Sequence, residues 1–267
     1  MGLDTKSLKN RIKSVDSTLH LTKAMGLVAS TKIRGATNAM LKSREYASEM
    51  GATIDMLSTS KICEKSEYMK NGASNSICII VIAGDRGLAG GYNSNIFKMV
   101  EEIDYSEIIP VGKRACDRFG KELIRAEGFS YSKAIELSKK ICLEFKEGKY
   151  EKIGIIYTKY ISMMTQTPEI KWVLPLEKKK LDKNSDIIFE PDEKMILEAV
   201  IEEYIASEIL EAVRESFTCE VVARRFAMDS AGKNAGEMID KLTLEYNRAR
   251  QGAITQEITE IVAGSGM

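Results

Sequence analysis

The stretch LKNRIKSVDSTLHLTKAMGLVASTKIRGATNAMLKSREYASEMGATIDML, residues 8–57, decides the fold. Stepping through it by fours and threes picks out Leu8, Ile12, Val15, Leu19, Thr22, Gly26, Ala29, Ile33, Ala36, Met40, Ser43, Ala47, Met50, Ile54 and Leu57. Only Thr22, Gly26 and Ser43 in that series are not apolar. A seam held in register this long predicts one continuous helix wound on a partner, about 80 Å long at a rise of about 1.5 Å per residue. All four prolines, Pro110, Pro168, Pro175 and Pro191, lie in the middle of the chain, so neither end carries a residue that breaks a helical hydrogen-bond ladder.

The partner is at the other end. A second helical region is predicted to start after Pro191, with Asp192 as N-cap and Glu193 in the first turn, and to stop at Gly264, with a pause near Gly232. Within it Ala235, Ile239, Leu242, Tyr246, Ala249 and Ala253 repeat the same four-and-three step, so the two ends are expected to pair. The last helix also holds Asn247, Arg248, Arg250, Gln251, Thr255, Gln256 and Glu257 where a two-helix seam wants apolar residues. Either that face is solvated or it meets something polar.

Between the helices the pattern changes. Residues 77–83, 108–111 and 153–157 are continuous apolar, β-branched runs, as buried parallel strands are. Helical stretches at 93–102, 113–126 and 132–147 alternate with them, whereas 159–176 gives no clear pattern. The expected fold is α/β: a long antiparallel coiled coil of the N- and C-terminal helices (1–60 and 192–267) with a central Rossmann-like, doubly wound parallel-sheet domain (61–191).

Chemistry-bearing motifs are scarce. Formal charge is zero, with 39 basic and 39 acidic residues, so global charge points to neither nucleic acid nor a membrane. Cys63, Cys78, Cys116, Cys142 and Cys219 are scattered without a CxxC pair, and are read as core thiols of a reducing cytosol. No apolar run is long enough to cross a bilayer. With His20 as the single histidine, catalytic triads and most zinc sites are removed, and paired carboxylates such as Glu101 and Glu102 are assigned no chemistry. The segment GDRGLAGGYN, residues 84–93, sits between a strand and a helix, where phosphate-cradling loops occur. Neither the Walker nor the Rossmann glycine spacing is present, so a structural turn capped by Asn93 or Ser94 is favoured over a phosphate site. On the first helix Lys6, Lys9, Arg11, Lys13, Lys23, Lys32, Arg34, Lys42 and Arg44 face only Asp16 between residues 6 and 44. That stripe is either solvated surface or the footprint of an acidic partner; without interleaved aromatics, an acidic protein surface fits better than nucleic acid.

The segments LTKAM (21–25), GDRGLAGGYN (84–93), FEPD (189–192) and YNRARQGAITQEITEI (246–261) resemble the gamma subunit of rotary, F-type ATP synthases, and the likeness covers essentially the whole chain. The resemblance implies a non-catalytic central-stalk rotor. Its partners would be a hexameric ring of alpha and beta subunits holding one gamma, the epsilon subunit, and the membrane c ring, with no cofactor, no metal and no direct nucleotide binding. Such a subunit would lie peripherally on the cytoplasmic face of the bacterial plasma membrane. The resemblance places Arg250, Gln251, Thr255 and Glu257 at a polar catch loop of a beta subunit. It links Arg224, Lys23 and Lys98 to coupling, and Ile187, Ile188, Phe189 and Glu190 to the foot on the c ring. This sequence departs from the family pattern at Ala89, Asp229 and Lys233, the last two read as one charge swap, and it lacks an inserted regulatory cysteine pair. Other readings of the residues are a homodimeric coiled-coil scaffold with an α/β head, or a small nucleotide-binding enzyme using the glycine loop.

Overall fold

The seam of residues 8–57 becomes the buried edge of one helix, α1 (Thr5–Ser58). Every one of its fifteen positions is buried or half-buried, including Thr22 and Ser43, whose hydroxyls donate to Leu19 and Ala39 carbonyls of their own helix at 3.0 and 2.8 Å. The computed structural model describes residues 5–72, 74–178, 190 and 192–265. It divides into two compact units, one of Met1–Ser30 with Arg224–Met267 and one of Thr31–Ala223.

In the first unit α1 lies against the later part of α5 (Glu193–Gly264). Arg225 hydrogen-bonds Ser30, a side chain at Gly26 would touch Met228 and Asp229, and Gly232 lies against Thr22 and Leu19, so the two segments run antiparallel. The expected pause at Gly232 does not occur. A single helical glycine costs only about 1 kcal/mol relative to alanine, which a helix held by packing on both sides of that point absorbs; a Cβ there would fit, 3.6 Å from the Thr22 hydroxyl. The expected seam also ends sooner: Ala249 is half-buried, but Ala253 and every described residue from 251 onward is exposed. Antiparallel pairing carries α5 beyond the first seam residue of α1, so that among the described residues none covers its last turns.

In the second unit the apolar runs form strands β1 (Ile77–Ile82), β2 (Glu107–Val111) and β3 (Lys152–Tyr160), with β1 parallel to both neighbours. The unclear segment supplies β4 (Gln166–Leu174), which returns antiparallel along β3 and gives the sheet order β2-β1-β3-β4. Successive residues point to opposite faces, and both faces are covered. Cys78, Ile80, Ile82, Ile153 and Ile155 pack with α4 (Tyr131–Lys146), the end of α1 and the start of α5. Ile79, Val81 and Ile156 pack with α2 (Tyr92–Glu101). This double cover is why the strands read as unbroken apolar runs rather than alternating ones.

Three local expectations are corrected. The helix expected over 113–126 is only α3 (Lys113–Phe119), because Gly120 takes a left-handed C-cap at φ 62°. Neither Asn93 nor Ser94 caps α2; Gly91 holds that position, and the Asn93 side chain accepts from Gly84 N–H at 2.9 Å. Asp192 does cap α5, accepting from the Lys194 and Met195 N–H groups at 2.8 and 3.0 Å.

All five cysteines are free and buried, and burial pushes the Cys78 and Cys142 thiols up to about 12. Because the thiolate is the reactive species, none should react with an aromatic disulfide reagent in the native chain at pH 8, and all five should react after unfolding in guanidinium. Rapid native labelling of Cys78 or Cys142 would contradict this packing.

Candidate functional site

The glycine loop, residues 84–91, lies at the carboxyl end of β1. Since β2 and β3 flank β1 on opposite sides, this is the point where the strand order reverses and where open α/β sheets hold ligands. The loop is already occupied. The Glu220 carboxylate of α5, 1% exposed, accepts Asp85 N–H at 3.3 Å on one oxygen and Arg86 N–H at 3.2 Å on the other. A Cβ on Gly84 would stand 2.8 Å from the Glu220 carboxyl carbon, so the first glycine is needed for close approach of that group.

The remaining residues of the loop brace it. Asp85 accepts the N–H groups of Lys113, Ala126 and Glu127 at 3.0, 3.2 and 2.6 Å, tying the loop to α3 and to the segment before α4. Arg86 pairs with Glu127 at 2.9 Å. Leu88 adopts a left-handed conformation (φ 60°) and points outward, while Ala89 and Tyr92 pack on Cys219. The Tyr92 hydroxyl donates to the Ser216 carbonyl of α5 at 3.0 Å.

Glu220 is one member of a buried polar set on a single face of α5: Glu215, Ser216, Cys219 and Glu220. Ser216 Oγ accepts Thr158 N–H at 2.9 Å, Glu215 accepts Tyr160 N–H at 2.8 Å, and the Cys219 thiol donates to the Thr158 carbonyl at 3.4 Å. These bonds take up backbone groups at the end of β3. Arg44 of α1 pairs with Glu215 at 2.6 Å and stands 3.8 Å from Glu211, and Lys171 of β4 pairs with Glu208 and, at 3.5 Å, with Glu211. Burial raises the Glu211 carboxyl above its usual range, against the lowering pull of Lys171. Burial pulls the Lys171 ammonium down more than any single neighbour pushes it up, but the charges and hydrogen bonds of Glu208 and Glu211 together outweigh it, and the net shift is upward. The basic stripe is therefore partly spent within the chain: Arg44 on these glutamates, and Lys32 on Glu127 at 2.5 Å. Among the described residues no group of His, Cys, Asp and Glu is arranged to hold a metal ion.

Residues 251–265 have a different character. All are exposed, and Ile254, Ile258, Ile261 and Val262 form an apolar stripe at helical spacing, each about half to two-thirds exposed. Comparison with known proteins accounts for such a chain. A family model described as ATP synthase matches residues 4–266. An ATP synthase gamma chain of Ruminococcus albus is 39% identical over 284 residues, covering 97% of this chain and 97% of the relative. The chain belongs to the ATP synthase gamma-chain family. Its fold is similar to that of a chain in the central stalk and c ring of the Tetrahymena thermophila mitochondrial ATP synthase, with a TM-score of 0.62 and 20% identity over 79% of this chain and 99% of that one. It is also similar to a chain of the Euglena gracilis mitochondrial ATP synthase, with a TM-score of 0.67 and 16% identity over 98% of this chain and 93% of that one.

Here Arg250, Gln251, Thr255 and Glu257 are all exposed and span about two turns of α5, about two to four turns before its end at Gly264. The Thr255 hydroxyl donates to its own helix, at the Gln251 carbonyl, 2.9 Å away. Lys23 is exposed on α1 and lines a groove of about 410 Å³ with Leu19, Met228, Asp229, Gly232, Lys233 and Gly236. Asp229 stands 3.4 Å from Arg225 on its own helix. Arg224 is 9% exposed on α5, Lys98 is exposed on α2, and Glu190 is exposed. Ile187, Ile188 and Phe189 lie outside the described residues. Sequence reasoning placed Arg44 in the basic stripe without its internal partner and missed Lys171, Glu215, Ser216 and Glu220, although glutamates recurring among the apolar residues of α5 between 205 and 222 were a signal for them.

Two outcomes follow from the Arg44 and Lys171 cluster. Arg44→Ala leaves Glu215, 3% exposed, without its cation and, since the Arg44 side chain is itself 41% exposed and screened by water, should cost about 1–3 kcal/mol in urea unfolding. Glu211 has a raised folded-state pKa, so its favourable contribution is complete below the unfolded carboxylate range and is lost as pH rises through the folded value. The stability of Glu211→Gln relative to the parent should therefore grow between pH 4.5 and pH 7, and a flat difference would count against this.

Proposed function

We propose that this chain is the central-stalk rotor of an F-type ATP synthase, coupling ion-driven rotation of a membrane c ring to ATP synthesis or hydrolysis in a surrounding ring of alpha and beta subunits. The observation that carries the reading is the fully exposed end of α5. A helix that shows water both an isoleucine and valine stripe and a row of Arg, Gln and Thr is built to be enclosed by other chains. Covering an aliphatic side chain contributes about 1.5–3 kcal/mol, so an enclosing sleeve would gain substantially from this stripe. The names of the relative and of the two solved assemblies point the same way.

In this reading residues 1–60 and 192–267 are the shaft and 61–191 the α/β domain beside it. Arg250, Gln251, Thr255 and Glu257 engage a polar loop of one beta subunit. Lys23, Lys98 and the exposed remainder of the basic stripe face acidic loops of the ring, and Arg224 holds the coupling geometry. Ile187, Ile188, Phe189 and Glu190 rest on the c ring, with an epsilon subunit nearby. No described helix is long and apolar enough to cross a membrane, consistent with a peripheral position, which we place on the cytoplasmic face of a bacterial plasma membrane.

The mechanism follows from asymmetry. Three chemically identical sites are held in different states only by a central object that presents a different face to each. Two unlike helices, one basic toward solvent and one with a polar and apolar tip, are such an object. Turning it passes each contact from one beta subunit to the next. The contacts have to be weak enough to exchange, as neutral hydrogen bonds of about 1 kcal/mol net are.

Mixing the chain with matched alpha and beta subunits should give a complex with one gamma per ring and ATP turnover far above that of the ring alone. Gln251→Ala should then reduce coupled turnover about fivefold and Arg250→Ala about tenfold or more, as expected for losing a neutral and a charged hydrogen bond. A stable homodimer of the isolated chain that neither binds the ring nor changes its turnover would favour the scaffold reading.

A further inference from the structure

The loop that sequence reasoning weighed as a phosphate cradle has the features of one: a glycine-rich turn after a parallel strand, at the reversal of strand order, with consecutive backbone N–H groups converging on an anion. The anion is a side chain of the same protein. Glu220 reaches the loop from α5, and each of its carboxylate oxygens takes one of the two adjacent N–H groups, Asp85 and Arg86. Gly84 is pared back to let the carboxyl carbon in, and Gly87 lies where a Cβ would meet the Arg114 guanidinium at 2.8 Å, which adds a positive group beside the same loop.

We propose that residues 84–87 form a working oxyanion nest whose resident ligand is the Glu220 carboxylate. The shaft helix thereby occupies from within the site where a domain of this topology would hold a free phosphate or carboxylate. The loop owes its shape to that charge. With Glu220 in place Asp85 is free to organise the start of α3 and the 126–127 turn, and Leu88 is held outward in its left-handed conformation. Removing the carboxylate, itself 1% exposed, leaves two N–H donors aimed at a space of the size and polarity of a small carboxylate, which water fills less well than an anion does. The inference concerns the folded chain itself and stands independently of the rotor reading.

Chemical rescue on the full-length chain tests it. Glu220→Ala deletes the atoms of an acetate ion, a methylene and a carboxylate. Its melting temperature should fall by several degrees and recover, with saturation in the millimolar range, on adding sodium acetate at constant ionic strength. Formate and inorganic phosphate, as smaller and larger oxyanions, report the size limits of the nest, while chloride and bulky pivalate should leave the melting temperature unchanged. The parent chain should show no saturable response to acetate. Glu220→Gln, which keeps the shape and removes the charge, should fold, melt below the parent and resist rescue because its amide fills the space. A melting temperature equal to the parent's for Glu220→Gln would show that the charge is not required. A drop in Glu220→Ala that acetate does not reverse would show that Glu220 only fills volume, and either result would overturn the proposal. If Glu220→Ala does not fold alone, its refolding yield in acetate against chloride gives the same answer.

Discussion

The structure depends on the burial of one stretch of α5, residues 200–225, none of which is exposed. From Leu197 through Ile201, Ile205, Ile209 and Val213 the helix contributes side chains with no exposure to one core, which also contains Ile54 and Leu57 of α1 and Cys78, Ile80, Ile153 and Ile155 of the sheet. A helix segment without an exposed position has to be enclosed, and its buried polar residues, Glu208, Glu215, Ser216 and Glu220 among them, have to find partners inside the protein. Here α1, the sheet and α4 together enclose it. The α/β domain is therefore not a free-standing sheet protein with a helix appended, because one of its two covering layers is built largely from the terminal helices.

Where that helix reaches the carboxyl ends of β1 and β3, apolar packing gives way to specific polar contacts. Strand ends and loops leave backbone N–H groups that are costly to bury unpaired. Glu215, Ser216 and Glu220 accept them, while Tyr92 and Cys219 donate hydrogen bonds across the same junction. Such contacts have a fixed register along the helix in a way that methyl groups sliding over methyl groups do not. Arg44 and Lys171 supply the opposing charges on the α1 and β4 sides, so the helix is held at one fixed register against the sheet.

The exposed end of α5 follows the opposite logic. It keeps its residues clear of internal partners, spends its threonine hydroxyls on its own backbone, and shows both apolar and polar rows to the outside. Within one helix the chain thus combines a segment held by internal contacts with a segment of described residues that are all exposed, the division the proposed rotor role calls for.

The sequence by itself determined the coiled-coil seam, the three parallel strands, the cap at Asp192 and the family. Each of these rests on a period, a composition run or a motif that is local in the chain. It left β4 unread because that edge strand mixes Pro168, Glu169 and Lys171 with apolar residues, and it overran α3 because nothing but the left-handed geometry at Gly120 marks the stop. Only the tertiary structure decided what the glycine loop holds. Glu220 stands 135 positions away from Asp85, and no periodicity along the chain links a carboxylate on a helix to the backbone amides of a distant turn. The same holds for Arg44 and Glu215, separated by 171 positions. Local spacing shows which face of an element is apolar; which buried charge meets which buried amide is settled by the packing that brings the elements together.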